Sequence, residues 1–239
     1  MELSVVMPVY NEEANLEQAI GEHIRLLERI GHRDWEILCV DDASKDNSGR
    51  ILERMSDADP RIRVLRHSMN LGIYESFDDL FRNARGAYVY MTASDGQWPA
   101  ENLERMLPLV AGGAELVVGV RQNRNEIYGL KRQLISHAFN FLPRLLFGVK
   151  TADAGSVKLG RREIFRLDLI SRSPFAEAER IIQASQHGYR VEFIPIVFRS
   201  RGGGKEYGAK WSNVKKSMRD LYRCWLAYGG RKIETVRQP

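Results

Sequence analysis

The chain has 239 residues, 44% of them hydrophobic, which is the composition of an ordinary globular protein with enough apolar material for one large α/β domain or two small ones. No apolar run approaches the roughly 18 to 20 uncharged residues of a spanning helix; the best candidate, Leu134 to Val149, is broken by His137, Asn140, Pro143 and Arg144. The net charge is +5 with the basic excess mainly after Val120, which suits anionic partners such as phosphates, a membrane surface or nucleic acid, or else a solvated basic face.

Strand-like sequence begins at Leu3, leaving no room for a signal peptide, so a cytosolic chain with Cys39 and Cys224 as free thiols is expected. Leu3 to Met7 is wholly apolar and ends on Pro8-Val9-Tyr10-Asn11-Glu12-Glu13, after which Leu16, Ile20, Ile24 and Leu27 recur at helical spacing. Trp35 to Val40 repeats the pattern, closing on Asp41-Asp42-Ala43-Ser44 before a helix with Ile51, Leu52 and Met55. A third strand, Ile62 to Leu65, precedes Asn70-Leu71-Gly72 and a helix near Ser76 to Arg85. A fourth, Gly86 to Thr92, leads into Ser94-Asp95-Gly96-Gln97-Trp98-Pro99, and Ala114 to Val120 makes a fifth. Strands alternating with helices predict a mostly parallel sheet covered on both faces.

Arg121 to Gly129 reads as an exposed polar loop, and Leu130 to Phe147 as a helix suited to a core or to a membrane interface. Asp153-Ala154-Gly155-Ser156 is a turn, Phe175 to His187 a helix carrying Glu177 and Glu179, and Val191 to Phe198 a strand before the basic loop Arg199 to Lys205. In the last helix, Lys210 to Tyr228, aromatic and apolar residues alternate with Lys215, Lys216, Arg219 and Arg223. That pattern fits an interfacial amphipathic helix or one docked on the protein's own core.

Polar clusters end three early strands, and in an open α/β sheet the ligand crevice lies at the carboxyl ends of the strands. Asp95 and Gln97, two apart around Gly96, can turn oxygen ligands toward one hard divalent cation carrying phosphate oxygens, although Ser-Asp-Gly is also ordinary turn chemistry. A carboxylate of Asp41 or Asp42 can accept a base N–H or ribose hydroxyls, Tyr10 can pack on a base, and Gly72 lets backbone approach a ligand. Ordinary alternatives are helix N-terminal charge for Glu12 and Glu13 and N-capping for Ser44 and Asp46. The absence of GxGxxG after the first strand and of GxxxxGK[ST] anywhere argues against dinucleotide oxidoreductases and P-loop NTPases.

In order and spacing, Pro8 to Glu12, Asp41 to Ser44, Asn70 to Gly72, Ser94 to Pro99, Asp153 to Gly155 and Arg201 to Lys205 resemble the motif series of family 2 glycosyltransferases. Within that family the chain is most similar to the dolichol-phosphate mannose synthase-like, or polyprenyl-phosphate glycosyltransferase, branch, from Leu3 to about Tyr207. The resemblance implies a GT-A-like (Rossmann-like) fold over residues 1–208. Its nucleotide-sugar half would run to about 120 and its acceptor half over 121–208, with an amphipathic helix and tail at 209–239. It also implies a UDP- or GDP-linked sugar donor, a divalent cation (Mg2+ or Mn2+) and inversion at the anomeric carbon.

On the matching positions, Pro8, Tyr10, Glu12, Asp41, Asp42, Gly72, Ser94 and Asp95 would bind the donor. Asp95 and Gln97 would hold the metal and act in catalysis with the phosphate-binding Arg121, Arg132 and Arg201. Arg132, Asp153, Arg201 and Lys205 would face the acceptor. The chain departs from the pattern at Ala93, where an aspartate is common, at Glu206, where a serine is, and at Phe198, where a histidine is.

A lipid phosphate is ionised at neutral pH and needs no general base, whereas a sugar hydroxyl does, and Asp153, Glu177 and Glu179 are the candidates for that role. The expected function is transfer from a nucleotide-sugar to a polyprenyl phosphate at the cytoplasmic membrane face. The chain would be peripheral on an anionic surface, with a separate membrane protein as a further partner and no nucleic acid. The alternatives are a family 2 enzyme acting on a saccharide hydroxyl and a non-catalytic nucleotide-sugar or lipid-binding module.

Overall fold

The computed structural model describes residues 2–122, 141–199 and 211–229. Strand β1 (Leu3–Val9) leads to helix α1 (Leu16–Arg29), β2 (Trp35–Asp41), α2 (Ser48–Ala58), β3 (Ile62–Arg66), α3 (Ile73–Asn83), β4 (Tyr88–Met91), α4 (Glu101–Ala111) and β5 (Leu116–Arg121). After the undescribed stretch come β6 (Lys158–Arg161), the short α5 (Arg162–Phe165), α6 (Ala176–Gln186), β7 (Val191–Ile196) and α7 (Trp211–Tyr228).

Together the strands form one seven-stranded sheet in the order β3-β2-β1-β4-β6-β5-β7. Every pairing is parallel except those of β6, which runs antiparallel to both β4 and β5. The order reverses between β1 and β4, which makes that junction the crevice of an open α/β sheet. β1 and β2 are buried on both sides, as their unbroken apolar sequence requires. On one face Val5, Met7, Ile37 and Cys39 pack under α1, α2 and α4. On the other, Val6, Leu38, Val89 and Val118 meet Phe77 and Phe81 of α3, Phe165 of α5 and Ile181 of α6.

Strand β6 was not anticipated from the sequence. Its four residues, Lys158-Leu159-Gly160-Arg161, are too short and too charged to show an alternation, yet the strand lies inside the sheet. The helix expected over Leu130 to Phe147 is described only at 141–147, where Leu142, Leu146 and Phe147 pack on α6 and α7.

Helix α7 docks by one face: Leu221, Cys224 and Tyr228 meet Phe175, Ala178 and Ile182, and the backbone N–H of Arg172 donates to buried Asp220 at 3.2 Å. Trp211, Met218, Tyr222, Trp225 and Leu226 stay exposed on its opposite side. Both thiols are free and buried. Among the described residues no helix is long and apolar enough to cross a membrane.

Candidate active site

The crevice is built from loops at the carboxyl ends of β1, β2, β4 and β5. After β1, Asn11 takes a left-handed conformation (φ 54°), which turns the chain into the loop after β2. There the Asn11 N–H donates to Ser44 Oγ at 3.2 Å, and Asn11 Oδ1 accepts the Lys45 N–H at 2.7 Å. The Glu12 N–H donates to Ser48 Oγ at 2.9 Å, and the Glu13 N–H to Asp46 Oδ2 at 3.0 Å. Ser44 and Asp46 therefore join two loops, and Asp46 also accepts the Ser48 N–H through Oδ1 at 2.9 Å, so it caps the start of α2 as well. Half-buried Tyr10 sits at the start of this zipped pair.

The two aspartates after β2 differ in their surroundings. Asp42 accepts the backbone N–H groups of Leu71 and Gly72, each at 2.8 Å, and its Oδ1 lies 2.7 Å from His67 Nδ1. Both its oxygens thus hold the Asn70-Leu71-Gly72 turn, where Gly72 has φ 92°. Asp41 accepts the Ser44 N–H through Oδ1 at 3.0 Å. A Cβ on Gly49 would come within 2.9 Å of its Oδ2, so glycine there leaves that oxygen room.

His67, on which the sequence reading was silent, has Asp79 Oδ2 at 3.0 Å from its other nitrogen. Burial works against its charge, but the two carboxylates outweigh burial and raise its pKa above the ordinary 6.5.

Between β4 and α4, Ser94 donates through Oγ to the carbonyl of Pro8 at 2.8 Å, tying the central loop to β1. Asp95 Oδ1 accepts the Gln97 N–H at 3.1 Å around Gly96, which has φ 70°. Gln97 is tethered in turn to the end of β7: its carbonyl accepts the Arg199 N–H at 2.9 Å, and its side-chain nitrogen reaches the Arg199 carbonyl at 3.4 Å. The Asn102 amide clamps Val197 in both directions at 2.9 and 3.1 Å. Arg199 pairs with Glu22 at 2.9 Å. Burial pushes the Glu22 carboxyl up, but hydrogen bonds from Gln18 and Arg199 bring it below its usual value.

At the end of β5, Arg121 donates its backbone N–H, Nε and Nη2 to the Asp153 carboxylate; the first two contacts are 2.9 and 2.8 Å. Its guanidinium lies 5.4 Å from the Trp98 ring and 5.1 Å from the Phe198 ring, and those rings are 4.6 Å apart. Arg121 therefore comes together with Asp153 and with the loop bearing Asp95. Arg132, Arg201, Lys205 and Glu206 lie outside the described residues.

The three carboxylates considered as bases are all engaged. Asp153, 2% exposed, faces Arg121. Glu177 lies 2.9 Å from Lys158 Nζ and 3.5 Å from Arg180 Nε; burial alone would raise its pKa, but the two cations hold it below the usual range. Glu179, wholly buried, accepts the backbone N–H groups of Ile170 and Ser171 at 2.7 and 2.8 Å.

For a divalent cation, Asp95 and Gln97 offer one carboxylate and one amide oxygen, both hard donors, on a single turn. No group of three or more acidic, histidine or cysteine ligands occurs among the described residues. The donor set suits a cation that takes most of its coordination from a diphosphate and water.

A mostly parallel sheet with its polar loops gathered at one end, around an aspartate at the β1/β4 junction, is the architecture of GT-A glycosyltransferases. Solved structures show the same fold. A mannosyltransferase from Pyrobaculum calidifontis in complex with GDP-Man and Mn2+ superposes with TM-score 0.64 at 17% identity, covering 93% of this chain and 64% of that one. Glucosyl-3-phosphoglycerate synthase from Mycobacterium tuberculosis in complex with Mn2+, UDP-Glc and phosphoglyceric acid gives 0.65 at 17% identity, over 94% and 79%.

The glycosyl transferase family 2 profile matches residues 4–167, and the chain belongs to that family. It is 35% identical over 229 residues to an undecaprenyl-phosphate 4-deoxy-4-formamido-L-arabinose transferase of Pectobacterium atrosepticum, covering 93% of this chain and 67% of that one. The Pectobacterium carotovorum protein of the same name is 36% identical over 197 residues, 82% of this chain and 54% of its own length. A polyprenol monophosphomannose synthase of Mycolicibacterium smegmatis is 30% identical over 90% of this chain and 83% of its own. The chain thus spans between about half and two-thirds of the length of the two arabinose transferases.

Proposed function

We propose that the protein is an inverting glycosyltransferase that moves a sugar from a nucleotide-sugar to the phosphate of a polyprenyl lipid, at the cytoplasmic face of a membrane to which it binds peripherally. The observation that supports the choice of acceptor is that Asp153, Glu177 and Glu179, the bases considered for a hydroxyl acceptor, are each held in ion pairs or backbone hydrogen bonds. A phosphate acceptor is already ionised and needs none. The relatives named for undecaprenyl-phosphate and polyprenol chemistry support this reading.

In this reading Tyr10 packs on the base, Asp41 accepts from base or ribose, and the turn at Gly72, held by Asp42, brings backbone close to the nucleotide. Pro8, Glu12 and Ser94 keep the two sides of the crevice in register. Asp95 and Gln97 would hold the divalent cation, as the neighbours solved with Mn2+ suggest; when bound, it stabilises the charge developing on the leaving diphosphate. Arg121, with Arg132 and Arg201, offsets the repulsion between acceptor phosphate and donor diphosphate, and Lys205 adds to that field. A phosphate oxygen of the lipid bonds to the anomeric carbon from one side as the bond to the nucleoside diphosphate breaks on the other, inverting the centre.

Membrane binding is supported by the outer face of α7, where exposed Trp211, Met218, Tyr222 and Trp225 stand beside exposed Lys215, Lys216, Arg219 and Arg223. Phe141 and Leu145 are exposed as well.

The acceptor assignment is tested by single variants. Arg121→Ala, Arg132→Ala and Arg201→Ala should each lower transfer strongly, while Glu179→Gln should keep a substantial rate. A hydroxyl acceptor would reverse the order, since loss of a general base costs roughly 10²- to 10⁴-fold.

A further inference from the structure

Lys158 is the one fully buried lysine among the described residues, and it opens β6 at the crevice end of the sheet. Its neighbours in the ladder are Met91 at the end of β4 and Val118 of β5. Val157 and Leu159 turn to the α1/α4 side of the core, so the lysine points to the opposite side, toward α6. There the ammonium donates to the carbonyls of Ala154 at 2.5 Å and Ser156 at 3.1 Å, and Glu177 Oε2 of α6 lies 2.9 Å away. Two of the ammonium's three N–H donors are thus taken by backbone carbonyls, and Glu177 is its ion-pair partner.

The two carbonyls belong to the turn that carries Asp153, which takes a left-handed conformation (φ 49°) that a non-glycine residue seldom adopts without support. Asp153 in turn fixes Arg121 through the backbone N–H, Nε and Nη2. One unbroken series of polar contacts therefore runs from the first turn of α6, through Lys158 and the 153–156 turn, to the guanidinium over Trp98 and Phe198.

A buried ion pair is costly to desolvate, and apolar side chains in place of both Lys158 and Glu177 would fill the same space about as favourably for stability. An apolar side chain would not gather two carbonyls and a carboxylate at one point. We propose that Lys158 is a positioning residue: by holding the Ala154 and Ser156 carbonyls against Glu177, it sets Asp153 and through it the orientation of Arg121. The functional meaning rests on reading Arg121 as a phosphate-facing group; the test reads its orientation alone.

Lys158→Met leaves Glu177 buried with only Arg180 beside it, so Lys158→Met/Glu177→Met, which removes both charges, is made as well. In each, hydrogen exchange at the Arg121 Nε–H is followed by NMR in uniformly 15N-labelled full chain. The signal is assigned by its loss in Arg121→Lys. The internal control is the Arg166 Nε–H, which donates to the Phe81 carbonyl at 3.0 Å at the C-terminal end of α3. The expected result is a tenfold or greater loss of protection at Arg121 in a folded variant, with Arg166 unchanged, and no loss in Lys158→Arg.

Unchanged protection at Arg121 would overturn the proposal. Equal loss at both arginines, or failure of both methionine variants to fold, would also overturn it, since Lys158 would then hold the whole fold and not the site. A protein that shows the expected exchange but transfers no sugar would refute the proposed function and leave this inference standing.

Discussion

Asp95 is the carboxylate on which the metal assignment depends, and its neighbours make its loss separable from unfolding. Ser94 ties the loop to β1, and the Gln97 backbone ties it to Arg199, so Asp95→Asn leaves both tethers in place. It should lower transfer by roughly 10²-fold or more, as expected when a charge aimed at a developing anion is removed, with the melting temperature little changed. Rates and melts measured together decide it; a wild-type rate in a normally folded variant would refute the metal assignment. A second expectation concerns Asp153. Because it faces Arg121, Asp153→Asn and Arg121→Ala should each reduce transfer, and the double variant should be little worse than Arg121→Ala. Losses that multiply would show that the two residues act separately.

At this scale the sequence indicated that the loops bearing Pro8, Asp41 and Asp95 end neighbouring strands, but not what each residue touches, and Arg132, Arg201 and Lys205 lie outside the described residues. Asp41 and Asp42 are adjacent letters at the end of an apolar run, and only the fold shows that the second is occupied by the turn 29 and 30 residues further on. Lys158 and His67 carried no local signal, because the partners that explain them come from other elements.

The turn at Gly72 shows how an element depends on a titrating group. His67 bridges Asp42, which holds that turn, and Asp79 of α3. Its pKa is raised in the folded protein, so its contribution is fully present below the ordinary 6.5 and is lost as pH rises through the higher folded value. Unfolding measured from pH 6.5 upward should show a declining stability that His67→Gln flattens. An identical slope in both proteins would contradict the bridge. His23, buried and with its pKa lowered by that burial, acts on the other side of the window, as pH falls below 6.5.

At the opposite end of the sheet, Glu36 is wholly buried and accepts from Ser4 Oγ at 2.5 Å, Arg63 Nη1 at 2.6 Å and the Arg85 N–H at 2.7 Å. Burial would raise its pKa, but these bonds lower it. The stability it contributes is present above the ordinary 4.5 and is lost as pH falls through the lower folded value. Glu36→Ala should cost on the order of 2–3 kcal/mol at neutral pH, since it orphans buried donors. A melting temperature equal to wild type would contradict this. Apolar runs and helical spacing made the parallel strands and their helices legible. β6 was not, because a four-residue strand with a lysine and an arginine at its ends shows no period.

Over the whole molecule, residues before and after position 121 share one sheet, so the loops after β1, β2 and β4 and the Arg121–Asp153 clamp are carried by a single layer. α7 adds a third layer outside α6 and turns its aromatic and basic side outward. Lys215→Glu/Lys216→Glu should weaken co-sedimentation with anionic vesicles by roughly tenfold or more, at about 1 kcal/mol for each cation near the surface, without changing the melt. Undiminished binding would move the membrane contact away from this face.

The acceptor is the centre of the reading, and it is tested most directly by comparing a polyprenyl phosphate with the polyprenol of the same chain length. Each is incubated with a panel of UDP- and GDP-sugars and Mg2+ or Mn2+, and the lipid products are weighed by mass spectrometry. The expected result is one glycosylated polyprenyl phosphate, formed with release of nucleoside diphosphate, and no product from the polyprenol. Transfer to the polyprenol or to a saccharide hydroxyl, with the polyprenyl phosphate left unchanged, would contradict it.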